Sequence, residues 1–229
     1  MKILAIGSHP DDIEIFMFGF LCACLERGDQ IILAIATDGS MGGVDKGLKL
    51  ANKRMIEAKK GLEHLGKPIF LKFQDGSLHE ETMAPKIIKE VIHDNQPDLI
   101  LTHAPEDYHP DHRALSKYVS NAAGFICPIL LSDTLMGVKF EPDYYIDITS
   151  FFELKTDAIL AHKSQNPKKF LEATKILNRF RSAQCNEPEG HYAEAYRFER
   201  RFPFSDIRQL LPASPRYKPY YKNIPGALI

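Results

Sequence analysis

The sequence predicts an α/β fold: a Rossmann-like parallel sheet with helices on both faces, followed by a less regular C-terminal extension. Three features carry that prediction. Short apolar runs alternate with longer amphipathic segments through residues 1–125, as in repeated strand–helix–strand units. The runs are apolar throughout rather than alternating, which suits strands covered on both faces. Glycine, proline or an Asp-Gly pair punctuates the handovers between them.

In order, residues 2–8 (KILAIGS) read as a buried strand, and residues 13–27 as one helix stopped by Gly28. Gln30–Thr37 (QIILAIAT) is the second strand, and the glycine-rich stretch after it (DGSMGG) a loop. A charged amphipathic helix spans residues 49–65, with Gly66 as its stop and Pro68 beyond. Ile69–Phe73 is a third strand running into the turn Asp75-Gly76. A helix over residues 84–94, a fourth strand over 98–102 and a helix over Pro110–Ala123 follow. In the second half, residues 126–132 and 144–148 read as strands, and 151–162 and 168–182 as helices. Residues 193–200 fit strand or helix, and the Pro/Tyr-rich tail from Pro203 suits an extended path over the surface. With no repeat or linker, residues 1–229 read as a single domain. Its Rossmann-like half is 1–125, and 126–229 is its C-terminal half.

Composition narrows the function classes. Among 229 residues, 29 Lys+Arg against 30 Asp+Glu leave a formal charge of -1, which removes the electrostatic case for nonspecific nucleic-acid or anionic-membrane binding. An apolar content of 44% excludes disorder. Cys22, Cys24, Cys127 and Cys185 form no Cys-x-x-Cys pair, so buried reduced thiols are expected rather than a thiolate metal site or disulfides. Asp11, Asp12 and Glu14 follow the first apolar run too closely for a signal peptide. The most apolar later stretch is shorter than the roughly 20 residues of a membrane span. The expected location is the cytoplasm.

Two clusters carry the chemistry. The first strand runs into His9-Pro10-Asp11-Asp12, and the fourth is followed, after a short loop, by His109-Pro110-Asp111-His112. Ligands of open parallel sheets bind beyond the carboxyl ends of the strands, where the strand order reverses. In a 3-2-1-4-5 order, strands one and four are neighbours there, and the clusters face one crevice. Imidazole and carboxylate are zinc ligands, and a catalytic zinc keeps three protein donors. His9 and Asp12, three apart at a helix start, can turn towards one point, and His109 or His112 can supply the third donor. Asp11 and Asp111 are then free to act as a base and as the partner of a histidine. Helix capping by Asp and Pro explains one such cluster alone. Two at matched strand ends point to a joint site.

These motifs resemble those of the PIG-L/LmbE-like family of zinc-dependent N-acetylglucosamine deacetylases. The resemblance covers most of the chain: AIGSHPDD, Thr37-Asp38-Gly39, Arg54 with Glu57, Leu65-Gly66, Asp75-Gly76, DYHPDH, Ala161-His162-Lys163-Ser164-Gln165 and Ala193-Glu194-Ala195-Tyr196. It implies that His9, Asp12 and His112 hold zinc, or another divalent transition metal in its place. It implies Asp11 as the general base for the attacking water. His109, oriented by Asp111, would stabilise the oxyanion and protonate the leaving amine, and Arg54 would lie near the substrate. It further implies a small acetylated amino sugar or glycoside as substrate and a homo-oligomeric assembly.

Other readings of single residues stand beside these. Arg54 can instead pair with Glu57 on its own helix. His64, His79, His93 and His103 read as surface or hydrogen-bonded residues, and His162, Gln165 and Glu194 as braces of the C-terminal half. The loop 39–47 is expected to border the site, and Tyr108 stands directly before His109. Two alternative functions are a metal-dependent phosphoesterase and a non-catalytic Rossmann-like sugar- or nucleotide-binding module. The first lacks a glycine-rich phosphate cradle in the sequence. Against the second, His9-Pro10-Asp11-Asp12 occupies the turn where Gly-x-Gly-x-x-Gly is needed.

Overall fold

The structure, a computed structural model, describes residues 1–219, 222 and 225–229. Its strands are β1 (Lys2–Gly7), β2 (Gln30–Thr37), β3 (Ile69–Phe73), β4 (Leu99–Thr102), β5 (Ile129–Ser132), β6 (Tyr144–Asp147) and β7 (Ala193–Phe198). They form one sheet in the order β3-β2-β1-β4-β5-β7-β6. The first five strands in that order are parallel, and β7 pairs antiparallel with both β5 and β6. The order reverses between β1 and β4, so the crevice expected from the sequence opens at their carboxyl ends.

Helices α1 (Asp12–Phe16), α2 (Phe18–Glu26), α3 (Leu48–Gly61), α4 (Ala84–Asn95), α5 (Pro110–Ala123), α6 (Phe152–Leu160) and α7 (Pro167–Gln184) cover the sheet. Successive β1 side chains point to opposite faces. Ile3 and Ala5 join a core with residues of α1, α2, α3 and α6, whereas Leu4 and Ile6 pack with α4 and α5. Leu4, Ile6, Ile88, Leu115 and Ile129 are wholly buried, each contributing about 1.5–3 kcal/mol through removal from water. This two-sided burial explains why the strands carry no polar alternation.

Some boundaries differ from the sequence expectation. The single helix over residues 13–27 is two helices, broken at Met17 (φ -133°, ψ -8°). The second begins where Gly19 N and Phe20 N donate to the Glu194 carboxylate, at 2.9 and 2.8 Å. A partner 175 residues away in sequence supplies that start, so local pattern cannot reveal it. Helix α3 ends at Gly61 rather than 65, and the next residues form a turn that still buries Leu62 and Leu65. Residues 193–198 are strand, inserted between β5 and β6. The tail, expected to be extended, makes a 3-10 turn over Arg208–Leu210 and runs on without helix or strand to residue 219; Arg27 donates to Leu210 O and Leu211 O, Asp147 N to Ala213 O, and Arg216 N to Glu187 Oε1. Tyr220 and Tyr221 of that tail lie outside the described residues. Among the described residues no helix is long and apolar enough to cross a membrane.

Candidate active site and metal-binding residues

The chain leaves β1 through a tight turn. Asp12 N donates to His9 O (3.2 Å), and Asp12 Oδ2 accepts from His9 N (2.7 Å). Asp12 therefore folds back onto His9, while Asp11 is driven to φ 140°, ψ -20°, and makes no side-chain cap. A non-glycine residue at positive φ is strained and persists only where its surroundings hold it. Capping is thus not what this motif's carboxylates do.

The second motif comes in from the start of α5. His112 Nε2 lies 3.1 Å from His9 Nδ1 and 3.2 Å from Asp12 Oδ2, and His9 Nδ1 lies 3.3 Å from the same oxygen. Donor atoms held about 2.0–2.1 Å from a tetrahedral metal are roughly 3.3 Å apart. The three atoms thus form a triangle of the right size and chemistry for a divalent cation. Electrostatics agree. Burial opposes charging His9, but Asp12, Asp111 and Asp75 outweigh it and push the ring well above its ordinary value. Burial likewise opposes His112, yet Asp12 and Asp107 raise it to about 9. Burial works against the Asp12 anion, and His112, His103 and His9 hold it well below the usual carboxylate range. Two ring nitrogens 3.1 Å apart cannot both point protons at each other, whereas one cation answers the same demand for positive charge.

His9 has a second set of partners. Its Nε2 is 3.2 Å from both Asp75 Oδ1 and Asp111 Oδ2. With Nδ1 turned to the donor triangle, the ring proton sits on Nε2 and faces these carboxylates, an arrangement that fixes tautomer and orientation. Asp111 also accepts from Gly76 N (2.7 Å) and Leu78 N (3.0 Å). This corrects the expectation that its carboxylate orients His109. The acidic side chain is spent on His9 and on the turn after β3. His109 Nδ1 instead accepts from the Asp111 backbone N–H, at 3.2 Å. Burial, then His9 and His112, lower the His109 pKa, while Asp111 and Asp12 pull it the other way.

Arg54 is almost wholly buried and does not pair with Glu57. It donates to Gly39 O (3.0 Å), Pro10 O (2.9 Å) and Asp11 Oδ2 (3.0 Å), which holds the strained turn. Glu57 accepts instead from Ser164 N and Ser164 Oγ, at 3.0 and 2.5 Å. Burial raises the Asp11 carboxyl above its usual range although Arg54 pulls the other way. Asp11 and Arg54 line a cavity of about 240 Å³, together with His9, Asp75, His109 and Gln165. Gly42 of the loop 39–47 and Tyr108 border it too.

Two further residues belong to the site: His103, read from the sequence as surface or hydrogen-bonded, which accepts from Ser8 N (3.0 Å), and Asp107, to which the sequence assigned no role. His103 is wholly buried, stacks on His112 with ring centroids 3.8 Å apart, and lies 3.1 Å from Asp12 Oδ2. Asp107 Oδ2 is 3.2 Å from His112 Nδ1. The available signal was position: His103 directly follows β4, as Ser8 follows β1. His64, His79 and His93 are exposed. The braces form as separate links. His162 Nε2 meets Glu14 (2.7 Å), and Glu194 takes Lys155 Nζ (2.6 Å) and the Tyr196 hydroxyl (2.7 Å) besides the α2 amides. Gln165 borders the cavity instead.

Known proteins resemble the chain along most of its length. It is 31% identical over 220 residues to a diacetylchitobiose deacetylase of Thermococcus kodakarensis, covering 86% of this chain and 82% of that one. It is 30% identical over 199 residues to a probable N-acetyl-alpha-D-glucosaminyl L-malate deacetylase of Bacillus cereus, covering 77% and 90%. The solved structure of an N,N'-diacetylchitobiose deacetylase from Pyrococcus horikoshii, in complex with an inhibitor, superposes with a TM-score of 0.76 at 26% identity, covering 92% of this chain and 88% of that one. Residues 4–123, which carry both histidine–aspartate motifs, match the family described as PIG-L, GlcNAc-PI de-N-acetylase, and the chain belongs to that family.

Proposed function

We propose that this protein is a metal-dependent N-deacetylase that hydrolyses the acetamido group of an N-acetylglucosamine-containing small molecule to the amine and acetate. The observation that carries the reading is the donor triangle of His9, Asp12 and His112 with Asp11 beside it at the strand-order reversal. Family membership and the deacetylases among its relatives support the same chemistry.

His9 through Nδ1, Asp12 through Oδ2 and His112 through Nε2 would hold the ion, and two imidazoles with one carboxylate suit zinc. When bound, such an ion supplies Lewis acidity that polarises the amide carbonyl and makes a water nucleophile available near neutral pH. The rest falls to the chain. Arg54 occupies Asp11 Oδ2, which leaves Oδ1 to take a proton from the attacking water. Burial strengthens that base. His109 accepts at Nδ1 from Asp111 N, so Nε2 carries a proton, ready to donate to the oxygen that gains charge during attack. The proton that Asp11 takes from the water can then pass to the departing nitrogen, so Asp11 would act first as base and then as acid.

Asp11→Asn tests this directly. The variant should retain its metal and lose about 10²–10⁴-fold in acetate release from acetylated amino sugars. Unchanged turnover would remove Asp11 from the reaction.

A further inference from the structure

Residues 161–165 (AHKSQ) stand beside the site and take no part in the steps above. The last of them, Gln165, lines the cavity over Asp11 and Arg54. It ends a 3-10 turn, Lys163–Gln165, between α6 and α7. Gln165 N donates to His162 O (2.9 Å), and Asn166 stops the turn at φ 50°, ψ 57°. His162 is tied to Glu14 of α1, and Ser164 to Glu57 of α3. Two buried carboxylates from different helices thus hold the turn against the site.

This chain of hydrogen bonds fixes which way the Gln165 amide points. Ser164 Oγ donates its one proton to Glu57 Oε2, a carboxylate oxygen that only accepts. Towards Gln165 the same hydroxyl must therefore accept, so the group 3.1 Å away is the amide nitrogen, Nε2. Oε1 is turned the other way, beside Gly42 at the cavity wall. A Cβ on Gly42 would stand 3.0 Å from Oε1 and overlap Arg54 Nη1. The glycine leaves the oxygen uncovered, and Oε1 takes no hydrogen bond from any described residue.

The neighbouring polar atoms are already engaged. Arg54 Nη1 and Nη2 serve Gly39 O, Pro10 O and Asp11 Oδ2. Asp75 faces His9 Nε2 with Oδ1 and accepts from Met41 N (2.9 Å) with Oδ2. Asp11 Oδ1 is assigned above to the attacking water. Gln165 Oε1 is thus an uncharged acceptor, held in place and without a donor, beside the reacting groups. Such an atom rewards a ligand that donates to it and rejects one that does not.

We propose that Gln165 is a specificity-determining residue whose Oε1 accepts from the hydroxyl on the sugar carbon next to the acetamido carbon. The proposal rests on the deacetylase reading above and names a substrate class within it: glycosides of N-acetylglucosamine whose 3-hydroxyl is free. The cavity is about 240 Å³, below the roughly 300–1,000 Å³ of ordinary small-molecule sites, so the group that Gln165 meets lies close to the acetamido group. The acetamido carbon, C2, has two ring neighbours. In a glycoside the oxygen on C1 is substituted and has no proton to give, which leaves the hydroxyl on C3. A 3-O-alkylated sugar has no donor there and is excluded.

The test compares the metal-loaded full chain with Gln165→Met and Ser164→Ala on three aryl N-acetylglucosaminides: the parent, its 3-deoxy analogue and its 3-O-methyl ether. Methionine keeps the length of the side chain and removes the acceptor. In the native chain kcat/KM should fall about tenfold from the parent to the 3-deoxy compound, and further for the ether. Gln165→Met should lose about tenfold on the parent and stay within about twofold on the 3-deoxy compound, where the bond is already absent. Ser164→Ala frees the amide to turn, and should narrow the ratio between parent and 3-deoxy substrates with Gln165 still in place. A native chain indifferent to the 3-hydroxyl overturns the proposal. An equal loss by Gln165→Met on the parent and the 3-deoxy substrate does the same.

Direct binding of the same compounds, read from ligand NMR line widths, separates this proposal from the deacetylase reading. Binding that prefers the 3-hydroxyl and loses that preference in Gln165→Met, with no hydrolysis by either protein, keeps the acceptor and removes the reaction. Hydrolysis that ignores the 3-hydroxyl does the opposite, and neither binding nor hydrolysis removes both.

Discussion

Asp111→Asn probes how His9 is held. The native carboxylate accepts from Gly76 N at 2.7 Å, Leu78 N at 3.0 Å and His9 Nε2 at 3.2 Å. The amide keeps one acceptor oxygen and turns an NH₂ towards at least one of these donors. Hydrogen bonds to a charged group are each worth about 1.5–3 kcal/mol, and Gly76, being exposed, recovers part of its loss from water. The expected destabilisation is about 2–4 kcal/mol, or roughly 5–15 °C in Tm for a chain of this size. Losing the partner of a metal-ligating histidine should weaken metal affinity about 10–100-fold. Burial opposes the Asp111 anion, but His9 and the Gly76 and Leu78 amides hold its pKa below the ordinary range. A depressed carboxylate stabilises above its unfolded pKa of about 3.9 and loses that contribution as pH falls through the folded value. The stability gap between native chain and variant should therefore be full at pH 6–7 and close below about pH 4. Chelator competition and thermal melting across pH measure both quantities. Native metal affinity and Tm, with only catalysis impaired, would refute the reasoning and return the Asp111 carboxylate to His109.

Three further outcomes follow from the same geometry. His109→Gln should lower kcat by about 10²–10³-fold with little change in KM and full metal content; loss of metal would make His109 a ligand instead. Glu194→Gln leaves Lys155 buried without its anion and weakens the start of α2, so urea unfolding should register a loss of about 3–5 kcal/mol. Burial opposes charging His162, but Glu14 raises its pKa above the ordinary histidine value of about 6.5. A raised histidine contributes fully below about pH 6.5 and loses that contribution as pH rises through the folded value. The stability gap between native chain and His162→Gln should thus be larger at pH 5.5 than at pH 9, and a flat gap would contradict the Glu14–His162 assignment.

The sheet was legible because its causes are local. Strands buried on both faces read as apolar runs, and Gln30–Thr37 and Ile69–Phe73 match the expectation residue for residue. The meeting of the two motifs was legible too, because parallel topology brings the ends of β1 and β4 together. What escaped depends on distant partners. The break at Met17 needs Glu194, the role of the Asp111 side chain depends on the turn after β3, and the release of Arg54 from Glu57 depends on Ser164. His103 and Asp107 join the site by stacking and by a carboxylate contact that no periodicity encodes.

The central claim is that His9, Asp12 and His112 hold one divalent cation on which amide hydrolysis depends. Elemental analysis paired with acetate release, on the native chain, on the chelated chain and on His112→Ala, tests it most directly. The account predicts about one ion per native chain, activity lost on chelation and restored by zinc, and neither metal nor activity in His112→Ala. Full acetate release by the metal-free protein, or one retained ion in His112→Ala, would contradict it.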